Sequence, residues 1–396
     1  MSRYRLQPTP NQAQRLAMHC AHARFVWNLA VEQHSWWTPR RGPAPGYVAQ
    51  ARQLTDARAV NAWLAAGSQT VQQQALRDFA QAMTGYFAGT HCRPTWRKAG
   101  RHEGFRIVAI KPEDVRRVNR CAGAVKVPKV GWVRFRWTRT VPAAKSYRIT
   151  MDRAGRWHLA FAAVPDPIPS PGNGETVGVD RGVTVSAALS TGELQSAPAM
   201  RRGEARRLVL LQRRLARCKR GSMRRRKVKA AIGRLHAREG DRRKDWVEKT
   251  TTELARGFDV IGIEALRIQG MTTSAKGTSD APERNVRQKA GLNRGIRRSG
   301  WGLIATRLED KAPGRVVQVN SAYTSQRCSA CGHVDAESRK SQALFACTAC
   351  RFSCNADVNA ARNIKTAAGR AVAAREGPRV AGPVHREPQH DLLPSA

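Results

Sequence analysis

The chain has 396 residues and sets 70 Lys and Arg against 29 Asp and Glu, a formal net charge of +41. A folded body with that charge repels itself unless a polyanion neutralises it, and nucleic acid is the default polyanion. A hydrophobic fraction of 41% is enough for real cores in roughly two or three domains. A membrane-surface role is the alternative, but no stretch approaches the roughly 20 apolar residues of a spanning helix and the N-terminus shows no apolar core like that of a signal peptide, so none is expected.

Residues 2 to 8 read as a short strand ended by Pro8 and Pro10, with Asn11 as the cap of the next helix. Leu16, Cys20, Ala23, Val26, Trp27, Ala30 and Val31 recur near the helical period over residues 12 to 35. Two more helical stretches are expected over 54–66 and 70–86. Most aromatics of this module are read as core, with base stacking as the alternative. Residues 93 to 165 change to alternation, glycine turns and β-branched residues, a small antiparallel β unit. Arg106, Lys126, Lys129, Arg134, Arg136 and Arg148 take its outward positions. With Trp132 and Trp137 nearby, that surface suits a nucleic-acid backbone; for any single Arg a solvated face is an equal reading. The Pro- and Gly-rich run 165–175 marks a domain boundary.

TVGVDRGVTVSAAL, residues 176–189, is an apolar β run with Asp180 in its middle. A lone buried carboxylate is costly unless it is paired or binds metal. Residues 201–249 hold twenty Arg and Lys against five Asp and Glu. Leu208, Leu211 and Leu215 form one apolar stripe, and Val228, Ile232 and Leu235 another, with a turn at Gly221 and Ser222 between them. The other faces, with Arg213, Arg214, Arg224, Arg225, Arg226, Lys227 and Lys229, are too positive for a plain solvated surface. A third helix is expected over 241–256. FDVIGIEAL, 258–266, is a second apolar strand, and it ends in Glu264. Residues 270–295 read as a mobile loop, followed by a helix over 299–311 and a strand over 315–320. After about Ala368 the chain reads as a disordered tail.

Cys328 and Cys331 form one Cys-x-x-Cys pair and Cys347 and Cys350 another, separated by fifteen residues. Each pair can chelate from one tight turn, and four sulfurs suit one structural tetrahedral Zn²⁺. Cys354 stands in register to compete with Cys350, and His333 is a weaker candidate. The nine cysteines fit a reducing cytosol better than disulfides. Asp357 follows the second pair and opens a helical run. Asp180, Glu264 and Asp357 therefore each stand where an element ends or surfaces. Such a trio can hold two hard cations, Mg²⁺ or Mn²⁺, and support in-line attack of water on a phosphodiester.

GVDRGV around Asp180, VIGIEAL around Glu264, and TSQRCSACG through DVNAARNI around Asp357 resemble the three RuvC motifs and the zinc ribbon of the TnpB family. These are RNA-guided DNA nucleases encoded by insertion sequences and ancestral to the type V CRISPR nucleases. RLQPTPNQAQRL, ARFVWNLAV and VKVPKVGWVRFRW are also similar to that family, so the likeness extends to about residue 368. It implies a multidomain α+β protein. An RNase H-like (RuvC) α/β nuclease domain would occupy 176–324 and 355–368, with the zinc ribbon inserted at 325–354. A wedge-type β-barrel domain would occupy 1–10 and 93–168, a helical recognition module 11–92, and a disordered tail 369–396.

By the same resemblance, Asp180, Glu264 and Asp357 would be the catalytic acids and the four cysteines the zinc ligands. The partners would be a guide RNA, either a transposon-derived omega RNA or a CRISPR RNA, and double-stranded target DNA beside a short duplex motif. The setting would be the prokaryotic cytoplasm at the nucleoid, with a monomer favoured over a dimer. The loop 270–295 would be a lid. Two departures stand out: Ala265, where the family usually carries Asp, and the extra thiol of Cys354. The alternatives are a miniature type V CRISPR effector, a nuclease-inactive RNA-guided repressor, and a strand-transfer transposase.

Overall fold

The computed structural model describes residues 2–38, 40, 42–101, 103–275, 277 and 284–376. Two units emerge, Met1–Asp166 with Met200–Gly240, and Pro167–Ala199 with Asp241–Ala396.

In the first unit β1 (Ser2–Gln7) leads into α1 (Pro10–Trp36). The helix is capped by Thr9 rather than Asn11. The Thr9 hydroxyl accepts from the Gln12 N–H, the Gln12 side chain accepts from the Thr9 N–H, and Pro10 sits in the first turn where no N–H is needed. The helix expected over 54–66 is two helices, α2 (Tyr47–Val60) and α3 (Ala62–Ala66), because the Asn61 side chain caps α3 by accepting from the Leu64 N–H. Then comes α4 (Gln69–Phe87).

The β unit comprises β2 (Gly104–Val108), β3 (Val115–Asn119), β4 (Ala122–Val127), β5 (Gly131–Arg136), β6 (Ser146–Met151) and β7 (Trp157–Phe161). With β1 they form an antiparallel sheet in the order β2-β6-β7-β1-β5-β4-β3. Alternation decides its faces. On β5, Val133 and Phe135 are buried while Arg134 and Arg136 are exposed. Tyr4, Phe135 and Phe161 meet edge to face, and the core continues into Leu16, Val26, Leu76 and Phe79 of the helices. The basic region follows as α5 (Arg202–Ala216) and α6 (Met223–Gly257). α6 is one 35-residue helix, so the separate helix expected from residue 241 does not exist. Glycine inside α6 has a packing reason at Gly233, where a Cβ would sit 3.1 Å from the Arg153 carbonyl.

The second unit is built on a mixed sheet of β8 (Thr176–Asp180), β9 (Ala187–Leu189), β10 (Leu194–Gln195), β11 (Val260–Glu264) and β12 (Val316–Val319), in the order β10-β9-β8-β11-β12. β11 runs parallel to both β8 and β12, whereas β8, β9 and β10 form an antiparallel meander. The boundary segment is stapled to this unit. The Asp259 carboxylate accepts from the Ser170 hydroxyl and from the N–H groups of Gly172 and Gly174, and the Arg315 guanidinium donates to the Ile168 carbonyl.

Helices α7 (Ile268–Met271) and α8 (Val286–Ser299) occupy much of the expected loop 270–295. α8 buries Ile296 and Ser299, and Asn293, Arg297 and Lys289 bond the carbonyls of residues 271–273. Of the expected lid, residue 276 and residues 278–283 lie outside the described residues. α9 (Trp301–Lys311) packs Ile304 and Leu308 into the sheet core. The hairpin of β13 (Leu344–Ala346) and β14 (Ser353–Asn355) precedes α10 (Ala356–Glu376). α10 carries the chain as helix past the expected end at residue 368; the rest of the expected tail, 377–396, lies outside the described residues. Among the described residues no helix is long and apolar enough to cross a membrane.

Candidate metal centres and nucleic-acid faces

β8 and β11 are parallel neighbours, and their last residues are Asp180 and Glu264. Each strand carries a central glycine, and Gly178 pairs with Gly262 across the sheet. α10 lies directly over this pair. A Cβ at Gly178 would fall 2.0 Å from the Ala361 carbonyl oxygen, and one at Gly262 would fall 2.7 Å from the Ala368 Cβ. Glycine inside a strand therefore marks close backbone approach here. The start of α10 is fixed by Asn355, whose side-chain oxygen accepts from the N–H groups of Asp357 (3.0 Å) and Val358 (3.2 Å). Asp357 is thus held in the first turn of a helix that rests on both acid-bearing strands.

The three acids share one electrostatic environment. Asp180 and Glu264 lie close enough for each carboxyl to perturb the other. Burial, followed by the charges of Glu264 and Asp357, pushes Asp180 up to about 7. Burial also raises Glu264 and Asp357, opposed by Arg181 and Arg339 respectively. Carboxylates crowded like this resist full ionisation without a cation. An all-oxygen donor set fits a hard divalent ion such as Mg²⁺ or Mn²⁺, so the residues present fit such ions.

Four supporting residues were not singled out in the sequence. Arg339 donates to Asp357 Oδ1 at 3.2 Å. Arg181 is buried, and its guanidinium donates to the backbone carbonyls of Glu264 and Trp301. Buried Thr324, whose hydroxyl donates to the Ser321 carbonyl, also acts to hold the Glu264 carboxyl down. Asn359, buried on α10, donates to the Arg327 carbonyl (2.7 Å) and accepts from the Ser329 N–H (2.9 Å), which ties the first cysteine turn to the helix carrying Asp357. Arginine among 70 basic residues leaves no signal, but an Asn spaced two and four residues from an acid and another Asn on one helix (Asp357, Asn359, Asn363) was a legible cue. Ala265 is exposed, and its N–H bonds the Val319 carbonyl.

Cys328, Cys331, Cys347 and Cys350 bring their sulfurs within 4.8 Å of one another. Cys328 lies 3.7 Å from Cys350 and Cys331 lies 3.7 Å from Cys347. That is far too long for a disulfide. It matches the edge of about 3.8 Å of a tetrahedron with zinc–sulfur bonds of about 2.3 Å. The Cys350 N–H points at the Cys347 sulfur at 3.4 Å and helps draw that thiol down to about 6. Both turns are built alike: Cys328 N–H to the His333 carbonyl, and Cys347 N–H to the Phe352 carbonyl, each at 2.8 Å. Cys354 lies outside the cluster, on β14, with its thiol toward the Asn355 carbonyl.

The basic residues divide into two sets. Arg106 and Arg148 both pair with Asp78, at 3.5 and 2.7 Å, and Lys126 faces Asp114 at 3.9 Å. Lys129 donates to the carbonyls of Ala65 and Ala66. Arg225 is half-buried and donates to the carbonyls of Leu215 and Cys218, joining the end of α5 to α6. Arg134, Arg136, Arg213, Arg214, Arg224, Arg226, Lys227 and Lys229 are exposed. Trp132 and Trp137 lie under the guanidinium groups of Arg116 and Arg117.

Three family models match this chain: "Probable transposase" over residues 159–275, a helix-turn-helix domain over 2–42, and the TNB domain of Cas12f1-like proteins over 301–364. Among the described residues of 2–42 the structure shows β1 and one long helix, α1. The chain is 32% identical to the "Putative RNA-guided DNA endonuclease InsQ" of Escherichia coli (strain K12), over 100% of this chain and 98% of that one. It is 29% identical to a "Putative RNA-guided DNA endonuclease" of Streptomyces pristinaespiralis, over 95% and 90%. Among solved structures, the Cas12f1–sgRNA–target DNA complex shares the fold with a TM-score of 0.52 at 14% identity, covering 90% of this chain and 82% of that one.

Proposed function

The chain belongs to the TnpB family of RNA-guided DNA endonucleases, and on that premise we propose that it cuts DNA at one RuvC site formed by Asp180, Glu264 and Asp357. The observation that carries this reading is the convergence of three acids from β8, β11 and α10, buried Glu264 and half-buried Asp180 and Asp357, where the charges of Glu264 and Asp357 both act on Asp180. The mixed sheet, with an antiparallel hairpin on one side of β8 and parallel strands on the other, supports an RNase H-like domain. Two Mg²⁺ or Mn²⁺ ions held there would supply an activated water and charge stabilisation for the leaving 3′ oxygen.

The chain's own residues set that chemistry up. Asp180, Glu264 and Asp357 offer the ligand oxygens. Arg339 fixes the orientation of Asp357 and offsets negative charge in the cluster. Arg181 holds the Glu264 backbone. One Zn²⁺ on the four cysteines would rigidify the turns that Asn359 ties to α10.

The partners in this reading are a guide RNA and a target duplex. Base pairing supplies most of the sequence recognition, and the protein reads a short flanking motif. The antiparallel sheet of the first unit is the wedge-type domain, and α1 to α4 are the recognition module. Exposed Arg134, Arg136, Arg213, Arg214, Arg224, Arg226, Lys227 and Lys229 grip phosphates, and Arg106, Lys126, Lys129 and Arg225 serve chiefly to hold the protein's own elements. The protein works as a monomer in the bacterial cytoplasm, on nucleoid DNA. The likeness to Cas12f1-like proteins over 301–364 keeps a CRISPR RNA as the second reading of the guide.

One experiment tests this. Protein is purified from its host with bound RNA, the RNA is sequenced, and plasmids matching the candidate guide are incubated with Mg²⁺ or with chelator. Cutting is expected only with a matched target and metal. Guide-independent cutting, or none on any matched target, contradicts the reading. An RNA from a transposon end, as against one from a CRISPR array, decides between the two guides.

A further inference from the structure

Trp96 is half exposed and lies between two backbone clamps. Before it, the Trp27 indole N–H donates to the Thr95 carbonyl at 2.9 Å. After it, Asn28 accepts from the Arg97 N–H at 2.7 Å and donates to the Arg97 carbonyl at 3.0 Å. The segment is therefore fixed on α1 while the indole stands in solvent, 50% exposed. Burying it would have been the ordinary use of so large an apolar ring.

Trp63 is placed with similar care. It sits on the five-residue α3, whose last three carbonyls are engaged. Arg58 donates to the carbonyls of Leu64 and Ala65, and Lys129 to those of Ala65 and Ala66. Gln72 also bonds the Leu64 carbonyl. Gly67 leaves no space for a side chain, since a Cβ would meet His22 at 2.4 Å. The His22 ring packs edge-on to Trp63 at 4.2 Å, and Phe25 meets it from α1 at 5.3 Å. Trp63 and Phe25 nevertheless remain 42% and 43% exposed.

These three rings, with Arg24, Asn28 and Glu32, line one cavity of about 300 Å³. Trp96 is also a wall of a second cavity of about 480 Å³, where Arg97, Arg101 and Arg148 are gathered. Single exposed apolar residues need no explanation, but a cluster around a preformed notch does. Aromatic faces beside guanidinium groups are what a nucleotide needs: a ring to stack on and cations for its phosphates. Unpaired bases are standing features of folded RNA, whereas a DNA duplex shows none until it is opened.

We propose that the Phe25–Trp63–Trp96 notch binds one unpaired base of a folded RNA, with Arg97 and Arg101 taking the adjoining phosphates. The proposal rests on the nucleic-acid reading of the function but not on the acid cluster. It gives the first unit a base-stacking contact with the RNA in addition to its phosphate contacts.

The test uses the full chain freed of RNA, and three probes with the same phosphate count: a uridine 12-mer, a thymidine 12-mer and a base-free ribose-phosphate 12-mer. Trp96→Ala should weaken uridine 12-mer binding about five- to a hundredfold and leave the base-free 12-mer unchanged. Trp96→Phe, which keeps a stacking face, should restore most of the loss. Photo-crosslinks from a 5-iodouridine 12-mer should fall on the peptides containing Trp63 or Trp96. Equal loss on the base-bearing and base-free probes, a loss confined to the thymidine probe, or crosslinks elsewhere overturns the proposal. A Trp96→Ala protein that still cuts matched DNA while binding uridine normally would end this inference and leave the proposed function standing.

Discussion

Asp180 ionises against burial and against two neighbouring carboxylates, and that has a measurable consequence. Its folded value, about 7, lies above the ordinary 3.8, so the folded protein binds more protons than the unfolded chain between those values. Stability of the metal-free protein should therefore be greatest at the acid end of that window and fall as pH rises through about 7. Glu264 and Asp357 shift the same way, while Arg181 and Arg339 oppose them. Thermal unfolding of zinc-loaded, Mg²⁺-free protein should show Tm falling from pH 5 to pH 8, with added Mg²⁺ raising Tm more at pH 8 than at pH 5. A Mg²⁺ effect independent of pH would count against the cluster as a cation site. A second expectation concerns Arg181. Replacement by Met removes the donor from two buried carbonyls and should cost roughly 2–5 kcal/mol in denaturant unfolding. The three acids were legible because each interrupts an apolar pattern or opens a helix. Arg181 and Arg339 were not, since an arginine's partner depends on tertiary approach that no local pattern encodes.

At the scale of elements, the packing of α10 on β8 and β11 depends on two glycines. The atoms they exclude differ in kind: at Gly178 an added Cβ would meet backbone of α10, and at Gly262 mainly side chains. Gly178→Ala should thus cost more than Gly262→Ala, which belongs with overpacked cores at roughly 1–3 kcal/mol. Urea unfolding of the two variants gives the order, and the reverse order would show that α10 does not bear on β8 as described. Replacing Cys328 by Ser should lower bound zinc and, through Asn359 and Asn363, loosen the start of α10. Metal analysis together with proteolysis near residue 340 measures both; unchanged zinc content would remove the four-cysteine site. The strands and the cysteine turns were legible from alternation and spacing. The loop expected over 270–295 was not a loop throughout, because Gly, Ser and Thr composition concealed the helix from Val286, whose Ile296 and Ser299 are buried by tertiary contact. Likewise residue type alone favours Asn11 as the cap, whereas the reciprocal bonds between Thr9 and Gln12 place the cap at Thr9.

For the whole molecule, a net charge of +41 calls for a polyanion, and the proposed nucleic-acid partners supply one. Binding of RNA-free protein to duplex DNA should weaken by about a thousandfold or more between 50 and 200 mM salt if at least about six phosphates are contacted. The central claim is narrower: Asp180, Glu264 and Asp357 act together on a phosphodiester. It is tested most directly by single-turnover cleavage of a guide-matched plasmid by the RNA-loaded protein and by its Asp180→Asn variant, with target binding measured alongside. The account predicts matched, Mg²⁺-dependent cutting by the parent protein, and loss of cutting by about a hundredfold or more in the variant with binding intact. A variant that cuts at the parent rate would contradict it.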